Sequence, residues 1–393
     1  MTGTRLAPGA NVAKLRKERG LQQAQLARLA SVSVSLLSKI EVGDRTLTPA
    51  TAAALGRAMG VSMAEVQGRD PVARSEEATV MDLRAAIRDY DLPRTAPPQK
   101  EELRARLTSI DELRDSVNLS VLTPLLPVAL RDATSYACSA NSAEGWAILA
   151  DVYGAIYWLS ARHRWMDLAE LAVSRQRWAA EQKPNPLSAA VAARDRAGTY
   201  LNFGDCEGGL TLIDRAIAAA ESALSGEERD IAVGILNLRG MTLAGRLRDD
   251  KEAKREANRH VQYARRVSEY FSSDFKVHGV TFGPRNTLAH QLATWVDLGK
   301  PRDALELTDN LGQALRGLPP TRLAPSYITK GRAQLDMGDS DGALESLASA
   351  WEIAPQLTRI HPMAQEVLRV VGSMHKRSNP LLTRLLELSG LGP

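Results

Sequence analysis

The chain of 393 residues lacks most of what several common kinds of protein are built from. Its two cysteines, Cys138 and Cys206, are too few and too scattered for a disulfide framework or a thiolate metal site, so a reducing compartment is expected. No 18-residue apolar run free of charge occurs, and no charged-then-apolar leader opens the chain, so neither secretion nor membrane spanning is expected and the cytoplasm is the expected location. Aromatic residues make up only 5%. With β-branched and aromatic runs scarce and Ala, Leu and Arg plentiful, helices are favoured over sheets.

Catalytic patterns are missing as well. Six histidines, His163, His260, His278, His290, His361 and His375, are dispersed and never form a helical His pair with a Glu between them, which removes a zincin site. There is no glycine-rich phosphate loop and no nucleophile elbow; Gly204-Asp205 and Gly331-Arg332 read as turns between helices. No catalytic residue, metal or cofactor is therefore expected, and an enzyme is the least favoured class. Trp146, Trp158, Trp165 and Trp178 recur on apolar helical faces and read as core before stacking platform.

The net charge of +4 is uninformative until it is divided along the chain. Residues 1–70 carry ten Lys/Arg against five Asp/Glu, whereas the remaining 323 carry forty against forty-one. All the excess positive charge falls on the first sixth of the chain, where a polyanion would be met. The near-neutral remainder gives no electrostatic reason to approach nucleic acid.

The length suits two or three domains. A helical module occupies residues 1–68, with breaks at Gly20, residues 31–33, Gly43 and Gly60. Residues 69–78, with Pro71 and mixed charge, read as a linker, residues 79–141 as connecting helices, and residues 142–393 as repeated helix-turn-helix pairs. The clearest repeat unit places Gly331, Gly338, Ala343, Leu347, Ala350 and Pro355 so that small residues let two helices approach, a Gly turns the chain and a Pro stops the second helix. The same frame fits Ala197, Gly204, Gly209, Ile213 and Ala216, and less well Leu292, Gly299, Ala304, Thr308 and Leu311. Residues 268–287, with Phe271, Phe275 and Phe282, read as an insertion.

Leu21-Gln22-Gln23-Ala24-Gln25-Leu26-Ala27 followed by residues 32–43 resembles the helix-turn-helix of lambdoid repressors and Xre-type regulators. Leu26, Ala27, Val32, Leu37 and Ile40 fall where two crossing helices bury one another. The resemblance implies double-stranded DNA as partner, with the second helix in the major groove. By position, Gln23 is the phosphate-gripping and bracing residue of that family, Val34 and Ser35 open the recognition helix, and Ser38 and Lys39 follow one turn on. Val34 stands where the phage pattern has an adenine-reading Gln, and it can touch only a thymine methyl. Ser33 fits the N-cap of the helix better than a base contact. Lys14, Arg16, Lys17 and Arg45 are phosphate-contact candidates, equally readable as a solvated basic surface. Relatives dimerise on a pseudo-palindromic operator, so a homodimer is implied.

The repeat spacing resembles the tetratricopeptide (TPR) unit, though its copies lie further apart than that family's ~34 residues. The implied fold is all-α, a lambda-repressor-like bundle followed by a TPR-like α-solenoid. First helices of such pairs line a concave groove, whose candidates here are Trp158, Arg162, Arg194, Asn202, Asn237, Asn286, His290 and Arg332. The Asn and Arg positions resemble those of Gram-positive peptide-pheromone sensors; ordinary exposed or capping polar residues are the plainer alternative. The whole chain is similar to actinobacterial regulators of this build, which share Phe282-Gly283-Pro284-Arg285-Asn286 and His361-Pro362. Thirty-nine Arg against eleven Lys fits a GC-rich genome. The implied function is a transcriptional regulator, more commonly a repressor, that senses a peptide or small molecule; the alternative is a DNA-anchored scaffold that docks a protein and takes no small ligand.

Overall fold

The computed structural model describes residues 7–61, 63–68, 74–307, 310–374 and 379–391. Residues 69–73 of the expected linker, Thr308 and His375 lie outside the described residues.

Five helices form the N-terminal bundle: α1 (Pro8–Glu18), α2 (Gln23–Leu29), α3 (Val34–Val42), α4 (Pro49–Met59) and α5 (Met63–Val66). Each break has a local cause. Gly43 and Gly60 close α3 and α4 in the left-handed conformation, while Ser33 and Thr48 cap α3 and α4 by accepting from backbone amides three residues on. Val12, Leu26, Leu37, Ile40, Leu47, Leu55 and Val66 make a core separate from the rest of the chain.

Helices α6 (Arg74–Arg88), α7 (Lys100–Asp115) and α8 (Leu119–Ala140) connect to the repeats, α6 beginning inside the stretch read as linker. Antiparallel pairs follow: α9 (Ala143–His163) with α10 (Met166–Glu181), α11 (Pro186–Phe203) with α12 (Cys206–Ala223), and α13 (Gly226–Ala244) with α14 (Asp250–Ser268). After a short hairpin come α15 (Pro284–Asp297), α16 (Pro301–Glu306), α17 (Leu311–Ala314), then α18 (Pro320–Asp336) paired with α19 (Ser340–Ile353), and finally α20 (Pro355–Ile360), α21 (Pro362–Met374) and α22 (Pro380–Ser389). The chain is all-α apart from that hairpin, a helix-turn-helix bundle followed by a helical-repeat solenoid.

Small residues set the pair spacing. A Cβ added at Gly331 would lie 3.1 Å from the Ala343 carbonyl oxygen, so α18 meets α19 at backbone range, while one at Gly209 would lie 2.6 Å from Leu243 Cδ2, so the Leu243 side chain of α13 fills the space that Gly209 of α12 leaves. Gly338 turns the chain at φ 86°, and Asp339 caps α19 by accepting from the Gly342 amide.

The hairpin departs from the all-helix expectation. Strand β1 (Phe275–Val277) pairs antiparallel with β2 (Val280–Phe282), Phe275 opposite Phe282, around a turn in which His278 and Gly279 both take positive φ. Phe271, Phe275 and Phe282 pack as a ring cluster with centroids 4.9 to 6.1 Å apart. Polar anchors then tie the tip to distant helices: Lys276 to Asp115 at 2.6 Å, the Gly279 carbonyl to Arg114 at 3.1 Å, and His278 Nδ1 to Asp151 at 2.9 Å.

The solenoid returns on itself. Helices α18 and α20 pack against α7 and α9, and one buried cluster runs from Leu122 and Tyr153 to Ile328, Trp351 and Leu368. The Ser120 amide donates to Gln356 Oε1 at 3.1 Å across the join. This return makes the groove a partly enclosed cavity.

Candidate DNA interface and an arginine-lined cavity

Helix α3 presents its first turn to solvent. Val34 is 46% exposed, Ser35 and Lys39 are exposed, and Ser38 is half-buried. Ser33 Oγ accepts from the Leu36 amide at 3.1 Å, which makes it the N-cap. Lys14 and Lys17 on α1 are exposed, Lys14 in a loose pair with Glu18, and Arg45 is exposed beyond α3.

Arg16 does not join that surface. Its guanidinium forms a buried fork on Glu41, at 2.6 and 2.8 Å, and its third nitrogen donates to the Leu21 carbonyl. Placed among the phosphate candidates by sequence, it instead ties α1 to α3, because the α1–α3 crossing turns its side chain inward. Gln23 is half-buried and donates to the same Glu41 at 2.8 Å. Burial alone pushes the Glu41 carboxyl up, but hydrogen bonds from Arg16 and Gln23 hold it below the ordinary range. Glu41 therefore stays ionised at the centre of a three-residue brace that joins α1, α2 and α3.

The second candidate site is a cavity of about 360 Å³ inside the closed solenoid. Its walls are the first helices of successive pairs, α9, α11, α13, α15 and α18, with α7, the hairpin, residues 357–363, and Pro49 and Met63 of the N-terminal bundle. Of the sequence-based groove residues, Trp158, Arg162, Arg194, Asn202, Asn286, His290 and Arg332 all line it. Asn237 does not: it is 2% exposed, donates to the Val233 carbonyl and meets His260 Nδ1 at 2.8 Å. It faces α14, because its place on α13 lies on the side away from the cavity.

Arginine dominates the lining. Among the described residues eight arginines face two aspartates, Asp195 and Asp297, leaving six cationic charges in excess. Asp297 holds Arg246 and Arg332 and is kept below its ordinary pKa: burial pushes it up, and the two guanidiniums outweigh that. Asp195 pairs with Arg194, and Arg114 pairs with Asp111 outside the lining. Arg162, Arg164, Arg239 and Arg322 have no carboxylate within 4 Å among the described residues. Arg162 lies over the Trp158 ring at 4.2 Å, Arg164 donates to Asn202 Oδ1 at 3.2 Å, and Arg239 donates to the Arg194 carbonyl at 3.2 Å.

This crowding is electrostatically costly. Burial first, then neighbouring arginines, push Arg162 and Arg322 down to about 9, and Arg164 down to about 10. His290 is driven well below its ordinary value by burial and by Arg322, Arg194 and Arg239, so it is neutral. Arg162 Nε, Arg164 Nε and Nη2, Arg322 Nε, Asn286 Oδ1 and Thr321 Oγ1 are buried without a hydrogen-bond partner among the described residues. Sequence reading missed Arg114, Arg164, Arg239, Arg246 and Arg322. No local motif marks these five arginines in the sequence.

Residues 12–66 match the helix-turn-helix family. No curated protein matches the chain. Among solved structures, PrgX in complex with cCF10 aligns over 88% of this chain and 93% of its own at 10% identity, with a TM-score of 0.26. The apo form of the competence regulator ComR from Streptococcus vestibularis aligns over 73% of this chain and 97% of its own at 15% identity, with a TM-score of 0.22. Likenesses this weak leave the cavity's ligand to be read from its own residues.

The helix-turn-helix bundle docks directly on the solenoid. The Leu47 amide donates to buried Glu366 Oε1 at 2.8 Å, Arg57 donates to the Phe203 carbonyl at 2.8 Å, and Arg45 lies 3.9 Å from Asp336. Asp336 in turn lies 3.9 Å from the cavity residue Arg332. Asp336 thus lies at loose ion-pair range of both the cavity wall and the turn after α3. Among the described residues no helix is long and apolar enough to cross a membrane, and no group of three His, Cys, Asp or Glu could hold a metal.

Proposed function

We propose that the protein is a sequence-specific, DNA-binding transcriptional regulator, working as a homodimer on a pseudo-palindromic operator, whose TPR-like solenoid senses a ligand in its interior cavity. The observation that carries the DNA reading is the solvent-facing first turn of α3, with Val34, Ser35 and Lys39, on a bundle that matches the helix-turn-helix family. The cavity favours a sensor over a protein-docking scaffold: its volume of about 360 Å³ falls in the small-molecule range of ~300–1,000 Å³, and helices from both ends of the solenoid wall it. A repressor is the commoner role for this build, and the reading contains no catalytic step.

Ligand control follows from the docking contacts. Pro49 and Met63 share the cavity wall with Arg332 and residues 361–363, so a ligand that contacts them binds one pose of the bundle more tightly and shifts the population towards it. Two half-sites about 10 base pairs apart demand a fixed separation of two such bundles.

The test is fluorescence anisotropy on the protein's own promoter region as a function of salt. Ser35→Ala lowers discrimination between that DNA and a scrambled duplex, while Arg45→Ala lowers affinity for both and flattens the log–log salt slope by about one. Undiminished discrimination in Ser35→Ala overturns the assigned face of α3, and an unchanged slope removes Arg45 from the phosphate contacts.

A further inference from the structure

Arg162, Arg164, Arg239 and Arg322 come from α9, the C-terminus of α9, α13 and α18, and they converge on one cavity with no carboxylate within 4 Å of any of them among the described residues. Like charges in a water-poor interior repel strongly, and buried charges in proteins are ordinarily paired. The fold even bends to keep one of them. Arg164 takes the left-handed conformation, φ 64°, at the end of α9, a place where glycine costs nothing and arginine is strained. Its one hydrogen bond within the fold, to Asn202 Oδ1, leaves Nε and Nη2 without a partner.

We propose that this cavity is the binding site for a small organic molecule carrying two or more phosphate groups. The proposal rests on the sensor reading above and gives the signal its chemical class. Charge balance sets the number of groups: a single carboxylate offsets one cation, while two phosphates bring about three to four negative charges against the four unpaired guanidiniums. Geometry calls for oxyanions, since a guanidinium offers parallel N–H donors that match paired oxygens and Arg162, Arg164 and Arg322 each keep buried donors unused; phosphate fits better than carboxylate because each group brings more charge and more acceptor oxygens. Size excludes duplex DNA from a space of about 360 Å³. The unpartnered Asn286 Oδ1 asks for a donor, which a ligand hydroxyl supplies. Arg162 already covers the Trp158 face, so recognition runs through charge and hydrogen bonds and not through stacking of a base on that ring.

Calorimetry on the full chain at fixed ionic strength tests this with three probes: inorganic pyrophosphate, fructose 1,6-bisphosphate and citrate. Pyrophosphate and the bisphosphate bind once per chain, and citrate binds at least tenfold more weakly. Arg322→Gln and Arg162→Gln each weaken phosphate binding at least tenfold, while Arg322→Lys falls between them and the parent. A thermal melt without anion supplies a second reading: Arg322→Gln melts no lower than the parent, because it removes an unpaired buried charge, and its melting point no longer rises with pyrophosphate. Absence of saturable binding, binding undiminished in both glutamine variants, or a parent that loses stability with Arg322→Gln while keeping pyrophosphate overturns the site. Equal affinity for citrate overturns the phosphate assignment. Anisotropy on operator DNA in the same samples separates the two readings. DNA binding that ignores saturating bisphosphate leaves the site standing and overturns sensing; DNA binding by a chain that takes no anion does the reverse.

Discussion

His260 is fully buried, and its two partners fix its tautomer. A guanidinium nitrogen can only donate, so Arg259 Nη2 at 3.1 Å makes Nε2 an acceptor, and Nδ1 then carries the proton and donates to Asn237 Oδ1 at 2.8 Å. Gly240 leaves room for the ring, since a Cβ there would sit 2.4 Å from it. Burial, reinforced by Arg259 and only partly opposed by Asp214 and Glu256, pushes His260 down to about 4. The sign follows. A histidine whose folded pKa lies below its unfolded value stabilises the fold fully above pH ~6.5, and that contribution is lost as pH falls towards 4, up to about 3 kcal/mol. Burial also drives His163 to about 4, so it adds to the same window. Urea midpoints measured from pH 7 to pH 4.5 should fall steadily, and His260→Gln should show a shallower fall at the expense of stability at pH 7. A flat parent profile is the outcome against this account. Asn237 looked like a groove residue because the repeat frame places α13 residues only to within a face; which face is settled by packing against α14.

At the scale of elements, the segment from Phe275 to Asn286 shows how a visible motif hid its structure. Residues 268–287, with three phenylalanines, stood out as an insertion. That it forms a hairpin depends on Arg114, Asp115 and Asp151, more than a hundred residues upstream. The junction to α15 is tight. Gly283 sits at φ 146°, and an added Cβ would lie 2.5 Å from Asp274 Cα, while Asp274 caps α15 by accepting from the Asn286 amide at 2.8 Å. Gly283→Ala therefore destabilises the chain by about 1–3 kcal/mol in urea unfolding, through strain and loss of this cap. Because Gly279, Val280 and Asn286 line the cavity, the same variant weakens pyrophosphate binding. The cap of α3, by contrast, was readable outright, since Ser33 acts within three residues of itself.

At the scale of the molecule, Glu366 decides how the bundle sits. Its carboxyl is buried, accepts from the Leu47 amide and from Arg369, and is held above its ordinary pKa by that burial. Glu366→Ala leaves the Leu47 N–H without an acceptor at a buried joint, a cost of about 1–3 kcal/mol. Hydrogen exchange at the Leu47 amide then rises at least tenfold, whereas exchange inside the bundle, as at Leu26, keeps its parent rate. Equal acceleration at both sites would mean that the bundle itself had unfolded; no change at Leu47 would mean that Glu366 does not hold the joint.

The sequence by itself determined the parts whose causes are local: the helix-turn-helix with its caps and turns, the all-helical solenoid with small residues at the crossings, and the basic bias of residues 1–70. Tertiary structure alone decided the cavity. The residues after 70 sum to a charge of −1, yet they place six excess positive charges inside. A sum along the chain cannot register this, because the arginines are spread from Arg114 to Arg332 and their compensating acids lie on the outer faces. They meet only because α18 and α20 return to α7 and α9, and a contact between residues some two hundred apart leaves no local pattern in the sequence. For the same reason Arg16 read as a free surface cation until the α1–α3 crossing set it on Glu41.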